Sequence, residues 1–293
     1  METIKLILDT DIGSDIDDAL CLGYLLSQPR CEILGITTGS SEPVKRAELA
    51  DTLCQAAGRE IPIYPGLGQP LIGRQLQGFV HQYAVTERLP HRTEFPQNGA
   101  IEFMKTTIEQ HPHEITIAAV GPLTNVGALF AAYPHVIPLV KQVTLMAGSF
   151  FAEAVAYIAT EWNVVCDPIA AKIVFDSGVP LIVAGLDVTL KTLTSCTEFL
   201  KKPHKGVMQA VAVHAEKFLE RTDNMHYHDP LAAALLFDRD ICQYKRGTVH
   251  VDYSGEKGRS YFVEKEDGNA LVAYELDRDR FFTHYDRVTE EEQ

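Results

Sequence analysis

The feature that most narrows what this chain can fold into is a succession of short, uniformly apolar runs separated by longer helix-patterned stretches. The first run, IKLIL at 4–8, leads into a helix-like segment reaching Leu26 and then a second run, CEILGITT at 31–38. More runs follow at 115–120, 142–147 and 180–186, with helical patterns at 43–58, 98–111, 122–133 and 167–178 between them. A strand with one wet face alternates apolar and polar residues, whereas a run that is apolar throughout is covered on both faces. The pattern therefore predicts an α/β fold: a single domain over 1–293 with a central, mostly parallel (mixed) sheet flanked by helices. Ligands of such sheets belong at the carboxyl ends of the strands. Two more helices are predicted over 203–221 and 229–237. The β-like pieces TVHVDY, SYFVE and ALVAYEL within 247–275 predict antiparallel pairing at a sheet edge, and the Pro-, Gly- and Gln-rich stretch 62–96 predicts a long surface excursion.

Charge bounds the partners. A formal net charge of −14 repels a nucleic-acid polymer, and Lys201, Lys202 and Lys205 form the one short basic group. A small molecule is the expected partner. The opening METIKLILDT is too short and too soon acidic for a signal peptide, and no run approaches about 18 apolar residues, the length of a membrane span. No membrane association is expected. Six cysteines are scattered, several within apolar runs, which suits the reducing cytoplasm.

Directly after the first strand comes DTDIGSDIDDA, which sets Asp9, Asp11, Asp15, Asp17 and Asp18 close together with no Lys, Arg or His among them. Like charges this close raise one another's pKa, so the segment must lie in water, protonate in part, or hold a cation. Hard divalent ions take oxygen ligands, and a strand-loop-helix turn at Gly13 can aim Asp11 from the strand end and Asp18 from the helix start at one point. Helix capping is the alternative, and it accounts for one to three of these aspartates.

Three further groups are weaker singly. In HYHDPLAAALL, His228 and Asp229 precede Pro230, which is also an ordinary helix start. ATEWN sets Glu161 and Asn163 around the only tryptophan, Trp162, and GPLTN at 121–125 follows a strand and opens a helix.

Taken in order, DTDIGSDIDDALCL (9–22), AAVGPLTNVGAL (118–129), EWNVVCDPIAAKIVF (161–175), AGLDVT (184–189) and HDPLAAALL (228–236) resemble the nucleoside hydrolase family, the inosine-uridine-preferring N-ribohydrolases. The resemblance covers nearly the whole chain. It implies a nucleoside-hydrolase-like α/β domain, homo-oligomeric as a dimer or tetramer, that binds Ca2+ (or, as the second choice, Mg2+) at the bottom of a deep pocket. By matching position it implies Asp11, Asp18 and Asp229 as carboxylate ligands, completed by the backbone carbonyl of Thr124. Asp11 would then be the base for the attacking water and His228 the acid for the departing base. Asp17 would grip ribose hydroxyls, Glu161 and Asn163 would bind the sugar, and Trp162 would line the pocket.

Three departures from the family pattern are visible. The acidic opening is two residues longer than D-x-D-P-G-x-D-D, which leaves Asp15 as a substitute for Asp17. Val155 stands near the place of an asparagine that holds the sugar 5′-hydroxyl in many members. A GN dipeptide is absent after the second strand, where Ser41 or Glu42 takes its space. Two rival readings follow. DTDIG also resembles the opening of haloacid-dehalogenase-like Mg2+ phosphatases, with Asp9 as nucleophile; and the altered sugar contacts would suit a Ca2+-containing nucleoside- or ribose-binding protein without catalysis.

Overall fold

The structure is a computed structural model, and it describes residues 3–97, 99–151, 160–254 and 258–290. Its strands are β1 (Ile4–Thr10), β2 (Cys31–Thr38), β3 (Ile63–Pro65), β4 (Ile115–Ala119), β5 (Gln142–Met146), β6 (Leu181–Ala184), the two-residue β7 (Thr194–Ser195) and β8 (Asn224–Met225), β9 (Cys242–Val251), β10 (Ser260–Glu264) and β11 (Ala270–Leu276). Nine of them form one sheet in the order β10-β9-β11-β6-β5-β4-β1-β2-β3. From β11 through β6 to β3 every pairing is parallel, and β9 runs antiparallel to both β11 and β10.

Both faces of the sheet are covered, as the uniformly apolar runs require. Leu6 and Leu8 of β1 pack into one buried cluster, while Ile7 between them packs into the other. Helices α1 (Asp17–Ser27) and α2 (Pro43–Ala56) contribute to the first cluster. The opposite face is covered by α3 (Ala100–Gln110), α4 (Thr124–Ala132) and, after the short α5 (Trp162–Cys166), α6 (Pro168–Asp176). Beyond β6 come α7 (Leu186–Thr189), α8 (Cys196–Lys201), α9 (Val207–Leu219), α10 (His228–Ala234) and α11 (Arg278–Glu290).

The departures from expectation have local causes. The helix expected over 203–221 starts only at Val207, because Pro203 and Gly206, at φ 51°, interrupt it. The three β-like pieces pair antiparallel at one end of the sheet as expected, β10 with β9 and β9 with β11; beyond that expectation, β11 also joins the parallel strands beside β6. Unforeseen α11 is mostly polar, yet Phe281, His284, Tyr285 and Val288 make a buried stripe at helical spacing. Lys201 and Lys202 are ion-paired to Glu198 and Asp286, so they make no free basic patch. All six cysteines are buried and unbridged. Among the described residues no helix is long and apolar enough to cross a membrane.

Candidate active site

The parallel strands end at one edge of the sheet, where Asp11 after β1, Val120 after β4 and Met146 at the end of β5 line one cavity. Asp9, near the end of β1, is 1% exposed, and its Oδ1 accepts hydrogen bonds from Thr37 Oγ1 at 2.6 Å and Asn125 Nδ2 at 2.8 Å. Burial pushes its pKa up to about 7. Asp9 thus ties β1 to β2 and α4 and does not line the cavity described below, which corrects the phosphatase reading that made it a nucleophile.

Beyond Thr10 the chain turns at Gly13, where φ is 112° and a Cβ would come within 2.5 Å of Leu49 and Val80. Only glycine suits that turn. The loop is held from beneath by Arg46 of α2, which is 0% exposed. Its guanidinium donates to the carbonyl oxygens of Asp11, Ile12 (3.1 Å) and Ser41 (2.7 Å) and to Ser14 Oγ (3.1 Å). A buried cation under a loop of carboxylates offsets part of their repulsion, and it works against the rise that burial imposes on the Asp11 pKa.

Two helix N-termini then bring carboxylates together. Asp17 and Asp18 occupy the first turn of α1, Asp229 that of α10, and all three are buried with carboxylate oxygens within 4.8 Å of one another. Neither helix start has a side-chain cap, so capping does not account for these residues. Burial first, and repulsion from neighbouring aspartates second (Asp15 on Asp17, Asp11 on Asp18, Asp17 on Asp229), drives all three pKa values well above the usual carboxylate range. Thr10 Oγ1 and the Asp11 amide, at 3.2 Å, donate to Asp18 Oδ1. Three buried carboxylates facing one point are an oxygen donor set that fits a hard divalent cation. Asp17 therefore joins the cluster, while Asp15 lies exposed at the cavity mouth, its carbonyl accepting from Gln82 Nε2 at 2.6 Å.

The cluster floors a cavity of about 690 Å³ that Asp11, Glu161, Trp162, Asn163 and His228 also line. Asp11 Oδ2 accepts from Gln77 Nε2 at 2.8 Å. His228 is half-buried, with Nδ1 2.7 Å from Thr189 Oγ1 and its ring stacked on His226 at 4.8 Å; burial, then the neighbouring His226, pushes its pKa down to about 3. Glu161 caps α5, its carboxylate accepting from the amides of Asn163 (2.7 Å), Val164 (3.1 Å) and Gly148 (3.1 Å), with a pKa pushed up to about 7 by burial. Asn163 Nδ2 donates to the carbonyls of Val120 (2.8 Å) and Met146 (3.1 Å), which joins the β4 and β5 ends. Thr124 begins α4 and is buried outside the cavity lining, its hydroxyl donating to Asp167 Oδ2 at 2.9 Å.

The excursion after β3 is more than surface covering. Leu76, Gln77, Gly78, Phe79 and His81 line the cavity, and Ser41 and Glu42 hold that strap in place. The Ser41 hydroxyl donates to Gly78 O, and Glu42 Oε2 accepts from the Val80 amide at 3.1 Å. Val155 lies outside the described residues. Sequence reasoning missed Arg46, Gln77 and Thr189. Thr189 ends the AGLDVT motif and was findable as its last polar residue; nothing local marks Gln77 or Arg46, which reach the site through long-range contacts.

The chain matches the model of the inosine-uridine preferring nucleoside hydrolase family over residues 6–283. It is 32% identical over 268 residues to a probable uridine nucleosidase 1 of Oryza sativa subsp. japonica, covering 86% of this chain and 82% of the relative. The pyrimidine-specific ribonucleoside hydrolase RihA of Salmonella arizonae is 28% identical over 95% of this chain and 96% of its own. Among solved structures, a plant nucleoside hydrolase superposes with a TM-score of 0.83 at 26% identity, covering 98% of this chain and 99% of that one.

Proposed function

The chain belongs to the inosine-uridine preferring nucleoside hydrolase family, and on that premise we propose that its pocket uses a bound Ca2+ ion to hydrolyse the N-glycosidic bond of a ribonucleoside, releasing free base and ribose. The observation that carries this reading is the meeting of the Asp17, Asp18 and Asp229 carboxylates in the same cavity as Asp11 and His228. Uridine is the first substrate to test, because the Oryza sativa relative is named a probable uridine nucleosidase.

Breaking a ribosyl C–N bond builds positive oxocarbenium character on the sugar, and a floor of carboxylates stabilises that charge as it develops. Asp11, Asp18 and Asp229 would hold the ion with the Thr124 carbonyl, and Asp17 stands close enough to share it. When bound, the ion supplies positive charge that relieves the carboxylate repulsion, lowers the pKa of a neighbouring water and fixes ribose hydroxyls. Asp11 takes the proton of the attacking water as its oxygen bonds to the anomeric carbon. The low pKa of His228 belongs to the pocket without substrate; negative charge gathering on the departing base raises it, and the protonated ring then delivers its proton to that base nitrogen as the C–N bond breaks. With the Thr189 hydroxyl turned to Nδ1, Nε2 is the atom left for that task. Asp17 grips the ribose hydroxyls, the Trp162 ring walls the cavity, and Glu161 and Asn163 shape the sugar end through the backbone they tie together. Six unbridged thiols suit a cytoplasmic enzyme, and the proposal includes a homo-oligomer.

Release of base or reducing sugar from purine, pyrimidine, 5′-modified and nitrophenyl ribosides tests the reading, with Ca2+ and then with chelator, beside Asp11→Ala. Metal-dependent release abolished by that substitution is the expected result. A folded, metal-loaded protein that binds nucleosides and splits none would be a binding protein instead.

A further inference from the structure

Gln77 belongs to the excursion between β3 and the 3-10 turn at Tyr83–Glu87, yet every polar atom of its side chain is engaged at the cavity. Nε2 spends both amide protons on the acidic loop, donating to Asp11 Oδ2 at 2.8 Å and to Ser14 Oγ at 2.7 Å. Oε1 accepts the indole N–H of Trp162 at 2.6 Å. The two residues it joins differ in freedom. Asp11 is buried, whereas Trp162 is 50% exposed and has only its N–H to fix the ring's angle by hydrogen bonding.

We propose that Gln77 is a positioning residue for the hydrolytic reaction, setting the Asp11 carboxylate and the Trp162 ring in one fixed relation. The carboxylate on the floor and the aromatic wall are thereby held as a unit across the cavity. An amide is suited to this task because it donates two protons without adding a positive charge that would compete with a cation for the carboxylates. Ser14 Oγ also accepts from Arg46, so the Gln77 carboxamide is braced through the same loop that Arg46 supports. Small errors in the placement of a reacting carboxylate cost rate more than they cost binding.

This inference rests on the hydrolytic reading for its kinetic consequence, but its geometric part has an independent readout. The chain contains one tryptophan, so intrinsic emission reports Trp162 alone. Two variants separate the bonds that Gln77 donates, to Asp11 and Ser14, from the one it accepts from Trp162. Gln77→Leu removes all of them, whereas Gln77→Glu keeps an acceptor for the indole and removes the amide protons from Asp11.

The Ca2+-loaded enzyme should lose about 10- to 100-fold in kcat in both variants, the range typical of groups that orient a reacting residue, with KM changed far less. Emission should shift in Gln77→Leu and stay at the wild-type position in Gln77→Glu. A wild-type kcat in a folded variant of either kind, or an unshifted Gln77→Leu emission, overturns the proposal. A lowered melting temperature with unchanged kcat assigns Gln77 a structural role and does the same. If Gln77→Leu does not fold, Gln77→Glu decides by its kcat. Wild-type silence on every riboside sinks the hydrolytic reading, whereas an active wild type with unaffected variants sinks this one alone.

Discussion

The hydroxyl of Thr189 lies 2.7 Å from Nδ1 of His228, so a residue at the end of α7 holds the orientation of a ring at the start of α10. Thr189→Val keeps the shape and removes the hydroxyl. It is expected to lower kcat on uridine by about 10-fold, and His228→Ala by on the order of 100-fold or more. A nitrophenyl riboside, whose leaving group needs no proton, should be largely spared by both. Paired kcat measurements on the two substrates check this, and equal losses on both would remove His228 from the role of acid.

Gly121 backs directly onto Asp11. A Cβ there would stand 2.7 Å from Asp11 Oδ1 and 2.9 Å from the Asp11 amide nitrogen, and the backbone atom cannot swing aside. Gly121→Ala should therefore cost about 1–3 kcal/mol of stability by overpacking and displace the Asp11 carboxylate it touches. Urea unfolding together with kcat/KM tests it; a variant as active as the wild type would mean that Asp11 tolerates the shift.

Asp17, Asp18 and Asp229 have raised pKa values chiefly through burial, so the folded, metal-free protein binds more protons than the unfolded chain from their ordinary value of 3.8 upward. Their contribution to stability is present at low pH and is lost as pH rises through the raised values. A bound cation removes that penalty and adds its own binding energy. Chelation should then lower the melting temperature more at about pH 8 than at about pH 5. An equal shift at both, with metal loss verified, would contradict the coupling.

His214 of α9 titrates in the opposite sense. Its ring is 0% exposed between Thr52 Oγ1 at 3.0 Å and Gln82 Oε1 at 3.3 Å, and burial pushes its pKa from 6.5 down to about 3. Below 6.5 the unfolded chain takes a proton that the folded one refuses. Stability from the neutral ring is complete above that pH and falls by about 1.4 kcal/mol per pH unit on the way down to the folded value. His214→Gln should show a shallower loss between about pH 7 and pH 5 in urea unfolding; an identical slope would place the acid sensitivity elsewhere.

The architecture and the chemistry of the floor are legible in local pattern. Uniformly apolar runs such as IKLIL require cover on both faces, and five aspartates after the first strand require neutralisation wherever they lie; both are local properties of neighbouring residues. Even the turn at Gly13 was legible, since only a residue free to take its positive φ could make it. Which of those aspartates meet is a matter of packing between distant segments. Asp17 and Asp18 face Asp229 from a second helix start, Asp15 is left at the mouth, and Asp9 is turned to a structural tie with Thr37 and Asn125. Packing alone brought Gln77 to Asp11 and Trp162, and Arg46 beneath the acidic loop, because those contacts join segments whose spacing in the chain says nothing about their distance in space. A parallel sheet gathers the ends of strands far apart in sequence at one edge, so the residues that meet there are chosen by packing rather than by local pattern.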